Sequence, residues 1–297
     1  MKIIITGANG MLGSSLCQLY HNKNKVHALH RDKECFTACS SDYSLDLTDT
    51  SKVGDVFNQI NPDLVIHCAS LTSLESCEKN PDLAISANVL VTENVAKSCS
   101  AETKLVYIST DQIYGETADR SEANKTLKPL NQYGKTKLLG EKKVQDLCSN
   151  YLIVRTNIFG WNVKPGRISS AEWIYNSLIN GDRITLFTDY TFSPIYTNSL
   201  GEAILDLVKM DYNGVINIGS SIPCSKYDFG MLLASTCDLD QSLISAGSIK
   251  DNHLFATRPG KLDLHTRKSS TIGLNVPNWQ SSVERFELEK KYIIKGE

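Results

Sequence analysis

The chain has 297 residues, enough for one large α/β domain or two smaller ones. Its hydrophobic content of 41% and charged content of 22% are ordinary for a globular protein, which argues against a disordered chain. The net charge of −2 gives no electrostatic reason to expect binding to nucleic acid or to an anionic membrane. The apolar run after Lys2 is too short for a signal peptide or a membrane span, so we expect a cytoplasmic protein.

The nine cysteines are scattered, with no Cys-x-x-Cys pair and no cluster with histidine. Cys35 and Cys39 are the closest two in sequence, and a Cys-x-x-x-Cys pair without further partners is a poor zinc site. We therefore expect reduced, mostly buried thiols.

The chain opens with a pattern typical of a nucleotide-binding turn. Lys2–Thr6 is a β-branched run that predicts a buried parallel strand, and a glycine-rich turn and a helix follow it directly. Such glycines let the backbone turn tightly and let a pyrophosphate approach the free N–H groups of the helix. The spacing is Gly-x-x-Gly-x-x-Gly, so an ordinary tight turn is the alternative. The cofactor contacts predicted here are Gly7, Asn9, Gly10, Met11, Leu12 and Gly13.

A second strand, predicted over Lys25–His30, leads into Arg31 and Asp32. At this tip an acidic residue would bind the 2′-hydroxyl of the adenosine ribose, whereas an arginine can neutralise a 2′-phosphate. Because Arg31 comes first, NADPH is favoured over NADH. The alternative is a solvated surface arginine.

The third and fourth predicted strands also end in residues that suit a nucleotide. The third ends at Asp46, which could accept a hydrogen bond from the adenine amino group or simply close its turn. The fourth, over residues 63–69, ends in small residues that would let a ribose lie close. The cofactor contacts predicted at these ends are Asp46, Leu47, Cys68, Ala69 and Ser70.

Polar groups suited to proton transfer gather between Lys104 and Lys137. A predicted strand runs from Lys104 into Thr110, and Tyr133 and Lys137 follow at the start of a predicted helix. Positions i and i+4 share a helix face, and the intervening loop is long enough to bring Thr110 back beside Tyr133. A hydroxyl, a phenol and an ammonium group together suit proton transfer to a carbonyl oxygen.

Six strands alternate with helices up to about residue 157. This pattern predicts an α/β fold, a doubly wound, Rossmann-like parallel sheet of about seven strands. We expect residues 1–157 to form the dinucleotide-binding domain, with a strand near 214–219 rejoining its sheet. Residues 158–297 would mainly form a smaller C-terminal, substrate-binding lobe. The cleft at the carboxyl ends of the strands would gather Thr110, Tyr133 and Asn157.

The motifs, in this order, resemble the extended short-chain dehydrogenase/reductase superfamily, and within it most closely the dTDP-4-dehydrorhamnose reductase family. The matching runs are the glycine motif at 7–13, LDLTD at 45–49, NPDLVIHCAS at 61–70, STD at 109–111, PLNQYGKTKLLGE at 129–141, and RPG…LDL…GL…PNW at 258–279. The resemblance implies an NAD(P)H-dependent reductase of the 4-keto group of a nucleotide-linked deoxysugar.

The resemblance also implies roles for individual residues. Tyr133 would protonate the substrate carbonyl, Lys137 would lower the pKa of Tyr133 and bind the nicotinamide ribose, and Thr110 would polarise the same carbonyl. The implied substrate-binding residues are Thr110, Asp111, Asn157 and Arg258. Arg258 would pair with the substrate diphosphate, and its alternative is a surface arginine beside a proline turn.

Three positions depart from patterns seen among relatives. Gln112 stands where nucleotide-sugar 4,6-dehydratases have a glutamate, and an amide cannot take up a proton, so dehydration is disfavoured. Asn157 stands where the rhamnose-pathway enzymes have a tryptophan, which leaves the sugar open. Ser15 replaces an acidic residue through which some relatives bind magnesium, so no metal site is predicted.

Two other functions fit the same motifs. A nucleotide-sugar epimerase would use the same Tyr133–Lys137 pair but keep NAD tightly bound, and Arg31 argues against that. A branch of the family serves as a regulatory subunit of methionine adenosyltransferase, binding NADP without clear turnover. The expected partner is a nucleotide-sugar substrate, without nucleic acid or membrane, and a homodimer is left open.

Overall fold

The computed structural model describes residues 1–251 and 255–293; the remaining residues of the predicted C-terminal lobe lie outside the described part. The strands are β1 (Lys2–Thr6), β2 (Lys25–His30), β3 (Ser41–Ser44), β4 (Leu64–His67), β5 (Lys104–Thr110), β6 (Tyr151–Phe159), β7 (Ile184–Phe187), β8 (Thr191–Phe192), β9 (Pro194–Tyr196), β10 (Gly214–Ile218), β11 (Cys224–Ser225), β12 (Ile244–Gly247) and β13 (Lys261–Leu262). The helices are α1 (Met11–Tyr20), α2 (Thr50–Ile60), α3 (Leu74–Lys79), α4 (Pro81–Ile85), α5 (Val91–Ser98), α6 (Gln132–Leu147), α7 (Ser170–Ile179), α8 (Thr197–Lys209), α9 (Lys226–Thr236), α10 (Arg267–Thr271) and α11 (Trp279–Ile293).

The large sheet confirms the predicted doubly wound α/β fold. Its strands lie in the order β10-β6-β5-β4-β1-β2-β3, with β9 paired to the far end of β6 as an eighth strand. All of its pairings are parallel. The chain thus winds outward from β1 in both directions, and the carboxyl ends of the strands share one edge.

The central residues of strand β1, Ile3 to Ile5, are all apolar because helices cover both faces of the sheet. Ile3 and Ile5 pack with core residues of α1 and α8 on one face. Ile4, which points the other way, packs with residues of α2, α5 and α6. Burial on both faces explains why these strands read as continuous hydrophobic runs rather than alternating ones.

Two strand ends differ from those predicted from the sequence, and both hold candidate site residues. β3 ends at Ser44, so Asp46 lies in the turn beyond the strand. β6 was expected to end near residue 157 but continues to Phe159, because the strand gains a new partner from Asn157 onward, where Asn157 pairs with Pro194 at the start of β9. Asn157 therefore lies within a strand and is held by the sheet.

The second half of the chain adds small sheets around an aromatic core. β11, β8 and β13 form one sheet, and β12 pairs with β7 in another. Phe159, Tyr196, Phe229 and Phe286 are buried together in this region. β10 instead returns to the large sheet beside β6, so the two halves share a strand edge.

All nine cysteines are free thiols. The closest contact between the two neighbours in sequence joins the sulfur atoms of Cys35 and Cys39 at 3.9 Å. In the part of the chain that the structure describes, no helix is long and apolar enough to cross a membrane.

Candidate active site

The glycine-rich turn after β1 has no room for side chains. Gly7 has a positive φ of 65°, and a Cβ added to it would lie 2.8 Å from backbone atoms of Ala69. A Cβ added to Gly13 would lie 2.3 Å from the carbonyl oxygen of Gly7. Helix α1 begins at Met11, and no side chain caps its N-terminal N–H groups. A bare turn with unpaired N–H groups fits a pyrophosphate, although Leu12 itself is buried in the core.

Asn9 connects this turn to the tip of β2. Its amide nitrogen donates to Asp32 Oδ2 at 2.9 Å and to the Glu34 carbonyl at 2.8 Å. Lys164, from the segment after β6, bonds to the other oxygen of Asp32. Arg31 lies beside them with its side chain exposed. The tip that would meet the adenosine ribose thus carries two cations and one paired acid.

The residues predicted to contact the cofactor after β3 and β4 lie along the same edge. Asp46 accepts hydrogen bonds from both N–H and Oγ1 of Thr48 at 2.9 Å, so it closes its own turn, the alternative that the sequence left open. Ser70 donates to the Asn88 side chain at 2.8 Å. Leu47 is buried, while Cys68 and Ala69 are half-buried. Direct contact of these residues with a nucleotide stays a prediction.

Helix α6 is fixed at its start so that Tyr133 faces the end of β5. The side chain of Asn131 caps the helix, accepting from Gly134 N–H at 2.8 Å, and it donates to Gln112 Oε1 at 2.9 Å. A Cβ on Gly134 would lie 2.8 Å from the Gln112 carbonyl, so the helix packs directly on the turn after β5. This contact brings the Tyr133 phenol within hydrogen-bonding reach of Thr110.

The electrostatics of Tyr133 differ from those expected from the sequence. Burial and the negative charge of Asp111 raise the pKa of Tyr133 above its ordinary value, while the hydrogen bond with Thr110 opposes them. The expected lowering of this pKa by Lys137 is therefore not what the structure shows. Burial lowers the pKa of Lys137 itself to about 7, with Glu141 acting against burial, and the ammonium lies 4.0 Å from the centroid of the Tyr107 ring. Tyr133 is thus a protonated phenol at neutral pH.

Asp111 is a buried carboxyl at the centre of this cluster, with only 1% of its surface exposed. It accepts hydrogen bonds from Thr110 Oγ1 at 3.1 Å, from the Gln112 amide at 3.5 Å and from the Asn157 amide. Burial raises the pKa of Asp111 to about 6, and these donors and the charge of Lys226 oppose that rise. Asn157 and Thr110, on neighbouring strands, are therefore joined through one carboxylate.

Arg258 is half-buried and forms an ion pair. Its guanidinium pairs with Glu75 at 2.9 Å, and the carbonyl of the preceding Thr257 accepts from Asn131 at 3.0 Å. The segment that carries Arg258 is thereby attached to the start of α6. A substrate diphosphate would have to compete with Glu75 for this cation.

A model of the family described as "RmlD substrate binding domain" matches residues 1–291. The chain belongs to this family. The similarity to dTDP-4-dehydrorhamnose reductases predicted from the motifs is confirmed, since the one from Mycolicibacterium smegmatis is 28% identical over 95% of this chain and 84% of its own. The "probable low-salt glycan biosynthesis reductase Agl14" of Haloferax volcanii is 28% identical over 97% of both chains. The crystal structure of dTDP-4-dehydrorhamnose reductase from Bacillus anthracis in complex with NADP superposes with a TM-score of 0.87 at 28% identity, covering 97% of this chain and 99% of that one.

In this member of the RmlD family, the sequence reasoning missed Lys226. The sequence indicates only that Ser225 and Asp228 form a capping box, which the structure confirms. Lys226, the first residue of α9, places its ammonium 3.6 Å from the centroid of the Phe192 ring and acts electrostatically on Asp111. A cation is unfavourable at a helix N-terminus, so a lysine at this position was the signal that could have identified it.

No three His, Cys, Asp or Glu side chains among residues 1–251 and 255–293 come together as a metal site. The absence of a metal from the reaction stays a prediction.

Proposed function

We propose that this protein is an NADPH-dependent reductase of the 4-keto group of a nucleotide-linked deoxysugar. The observation that carries the proposal is the close approach of the Tyr133 phenol to Thr110 at the carboxyl end of β5, where Thr110 acts on the pKa of Tyr133. It joins two proton-donating groups on the same sheet edge as the bare glycine turn, and buried Lys137 lies one helical turn from Tyr133. The names of the reductase relatives support the same reaction.

The residues at this edge fit a dinucleotide. The turn at Gly7 and Gly13 is bare where a Cβ would collide with backbone, so a pyrophosphate can approach the N–H groups of α1. Arg31 would meet a 2′-phosphate, and Lys137 would bind the nicotinamide ribose. A bound NADPH would supply the hydride.

Tyr133 provides the proton. Its raised pKa keeps the phenol protonated at neutral pH, so it can donate to a carbonyl oxygen that gains negative charge. The Thr110 hydroxyl accepts a hydrogen bond from the Gln112 N–H at 3.2 Å and donates its own to Asp111 in this structure. Turning that proton toward the substrate would let Thr110 polarise the same carbonyl.

The substrate side is assigned to three residues. Asp111 and Asn157, joined by their hydrogen bond, would bind sugar hydroxyl groups, and Arg258 would exchange Glu75 for the substrate diphosphate. Gln112 is an amide engaged with Asn131, so no second carboxylate stands beside Asp111 to support elimination of water.

NADPH oxidation with a panel of dTDP-, UDP- and GDP-linked 4-keto-6-deoxy sugars tests the proposal. We expect one sugar to be reduced and Tyr133→Phe to lower kcat/KM by about 100-fold or more, because the proton donor is lost. NADPH binding to this variant should be nearly unchanged. Tyr151→Phe is the matched control, since Tyr151 begins β6 at the opposite edge of the sheet.

Other outcomes would favour other functions. If no sugar in the panel is reduced, or if Tyr133→Phe keeps the wild-type rate, the reductase mechanism is wrong. Inversion of a sugar hydroxyl without net NADPH oxidation would indicate an epimerase. NADP binding without turnover, together with capture of a methionine adenosyltransferase, would indicate the regulatory role.

The proposal also covers the division of the chain into domains, the cellular compartment and the assembly. We assign cofactor binding to residues 1–157 with the returning strand β10, and substrate binding mainly to 158–297. The proposed compartment is the cytoplasm and the proposed assembly a homodimer, which sedimentation of the purified protein would test.

A further inference from the structure

Asp32, two residues beyond β2, has both of its carboxylate oxygens occupied. Asn9 donates to Oδ2 at 2.9 Å, and the Lys164 ammonium bonds to Oδ1. These two bonds, with Lys164 the larger influence, lower the pKa of Asp32 and keep it ionised. The carboxylate is therefore a paired anion, held between the glycine-rich turn and a residue from the second half of the chain.

The segment that carries Lys164 is anchored on both sides. Asn162 donates to the two carboxylate oxygens of Glu172, from N–H at 2.8 Å and from its amide at 2.6 Å. Ser169 donates to the Gly160 carbonyl at 2.7 Å. Because both flanks are tied to the start of α7, Lys164 is presented to Asp32 by a fixed loop.

This pairing changes the charge that an adenosine ribose would meet. A free carboxylate at the end of this strand accepts the 2′-hydroxyl of NAD and repels the 2′-phosphate of NADP. In this structure each oxygen of Asp32 already accepts a bond, and the charge of Lys164 compensates that of the carboxylate. Arg31 beside it is exposed and forms no ion pair with any residue in the described part of the chain. The net charge of this group of three is positive.

We infer that Lys164 determines cofactor specificity by neutralising Asp32, which makes the tip of β2 a site for adenosine nucleotides that carry a 2′-phosphate. The inference rests on the proposed function, because it concerns which nicotinamide cofactor that enzyme takes. Part of the preference for NADPH over NADH would then come from the Lys164 loop in the second half of the chain, in addition to Arg31 at the tip of β2.

Nucleotide fragments test the inference without the reaction. Adenosine 2′,5′-bisphosphate and 5′-AMP differ by the 2′-phosphate alone, and their dissociation constants can be measured by calorimetry. We expect Lys164→Met to weaken the bisphosphate about five- to tenfold and 5′-AMP less than about twofold, since only the 2′-phosphate meets the unpaired carboxylate. The double variant Lys164→Met/Asp32→Asn should bind the bisphosphate with an affinity within about twofold of that of the single variant Asp32→Asn.

Arg167→Met is the matched control, because it removes an exposed cation from the same loop. It should leave both affinities unchanged. Equal weakening of the two ligands, no weakening, or a loss that persists in the Asp32→Asn background would overturn the inference. A wild-type protein that binds 5′-AMP as tightly as the bisphosphate would also overturn it, while reductase activity could still be present. A wild-type protein that binds neither fragment would contradict the nucleotide site itself, and this inference with it.

Discussion

At the scale of single residues, Asp111 is a carboxyl whose ionisation the fold changes strongly. Its carboxyl is buried, and its pKa rises from an ordinary 3.8 to about 6 despite three hydrogen-bond donors. Lys226, Tyr133 and Tyr190 face it electrostatically. Desolvation therefore outweighs the favourable contacts, and the charged form of Asp111 has a cost in stability.

The sign of this effect can be tested. The pKa of Asp111 is higher in the folded state than in the unfolded state, so the folded state loses stability as pH rises from about 4 to about 6. The loss amounts to roughly 3 kcal/mol and persists at higher pH. Asp111→Asn should raise the free energy of unfolding by about 1–3 kcal/mol at pH 7, with little gain near pH 4. Urea denaturation at both values measures it.

Asp182→Asn is the control, because it removes an exposed carboxylate that is not a candidate site residue. Its free energy of unfolding should not differ from the wild-type value in this pH-dependent way. A destabilised Asp111→Asn protein at neutral pH would contradict the assignment. We also expect this variant to reduce the sugar more slowly, because Thr110 and Asn157 lose their shared anion.

At the scale of elements, the turn between β1 and α1 depends on backbone contact rather than on side chains. Gly13 lies in the first turn of α1 and packs directly on the Gly7 carbonyl. The approach of helix to strand is what exposes the N–H groups to a pyrophosphate. Its geometry therefore tolerates no Cβ.

Gly13→Ala should displace α1 and weaken NADPH binding by about tenfold or more, and overpacking should cost about 1–3 kcal/mol of stability. Gly54→Ala provides a control, since Gly54 lies inside α2 with open space around it and alanine should stabilise that helix by up to about 1 kcal/mol. Fluorescence titration with NADPH and thermal unfolding check both. Unchanged NADPH affinity in the Gly13 variant would show that the turn does not hold the nucleotide.

At the scale of the whole molecule, helix α11 closes the aromatic core that supports the end of β6. The Phe286 ring stacks on Trp161 at a centroid distance of 4.0 Å, and the Trp161 indole donates to the Phe286 carbonyl at 2.9 Å. Trp161 follows Phe159 and precedes the loop of Lys164. The C-terminal helix thus supports both the strand that carries Asn157 and the loop proposed to select the cofactor.

Phe286→Ala should lower the free energy of unfolding by about 3–5 kcal/mol, because a fully buried ring leaves a cavity. Phe255→Ala removes a ring that is 61% exposed and should change it by less than about 0.5 kcal/mol. Chemical denaturation measures both variants. Equal effects would mean that α11 is not part of the cooperative core.

Much of this architecture could be predicted because its causes are local. Continuous apolar strands, the glycine-rich turn and the helical spacing of Tyr133 and Lys137 each depend on short stretches of chain. Strand ends were less predictable: β6 is extended by β9, whose partner residues come much later in the sequence. The pKa of Tyr133 was predicted in the wrong direction, since burial cannot be judged from a motif.

The sequence by itself determined the alternation of strands and helices through β6, the glycine-rich turn, and a phenol and an ammonium on one helix face. Only the tertiary structure decided which charges meet. Lys164 reaches Asp32 across 132 positions, and Lys226 comes to face Asp111 from another helix. Propensity and periodicity act over a few residues, whereas electrostatic partners and desolvation depend on distances in space, which exist only once the sheet and the lobe have packed together.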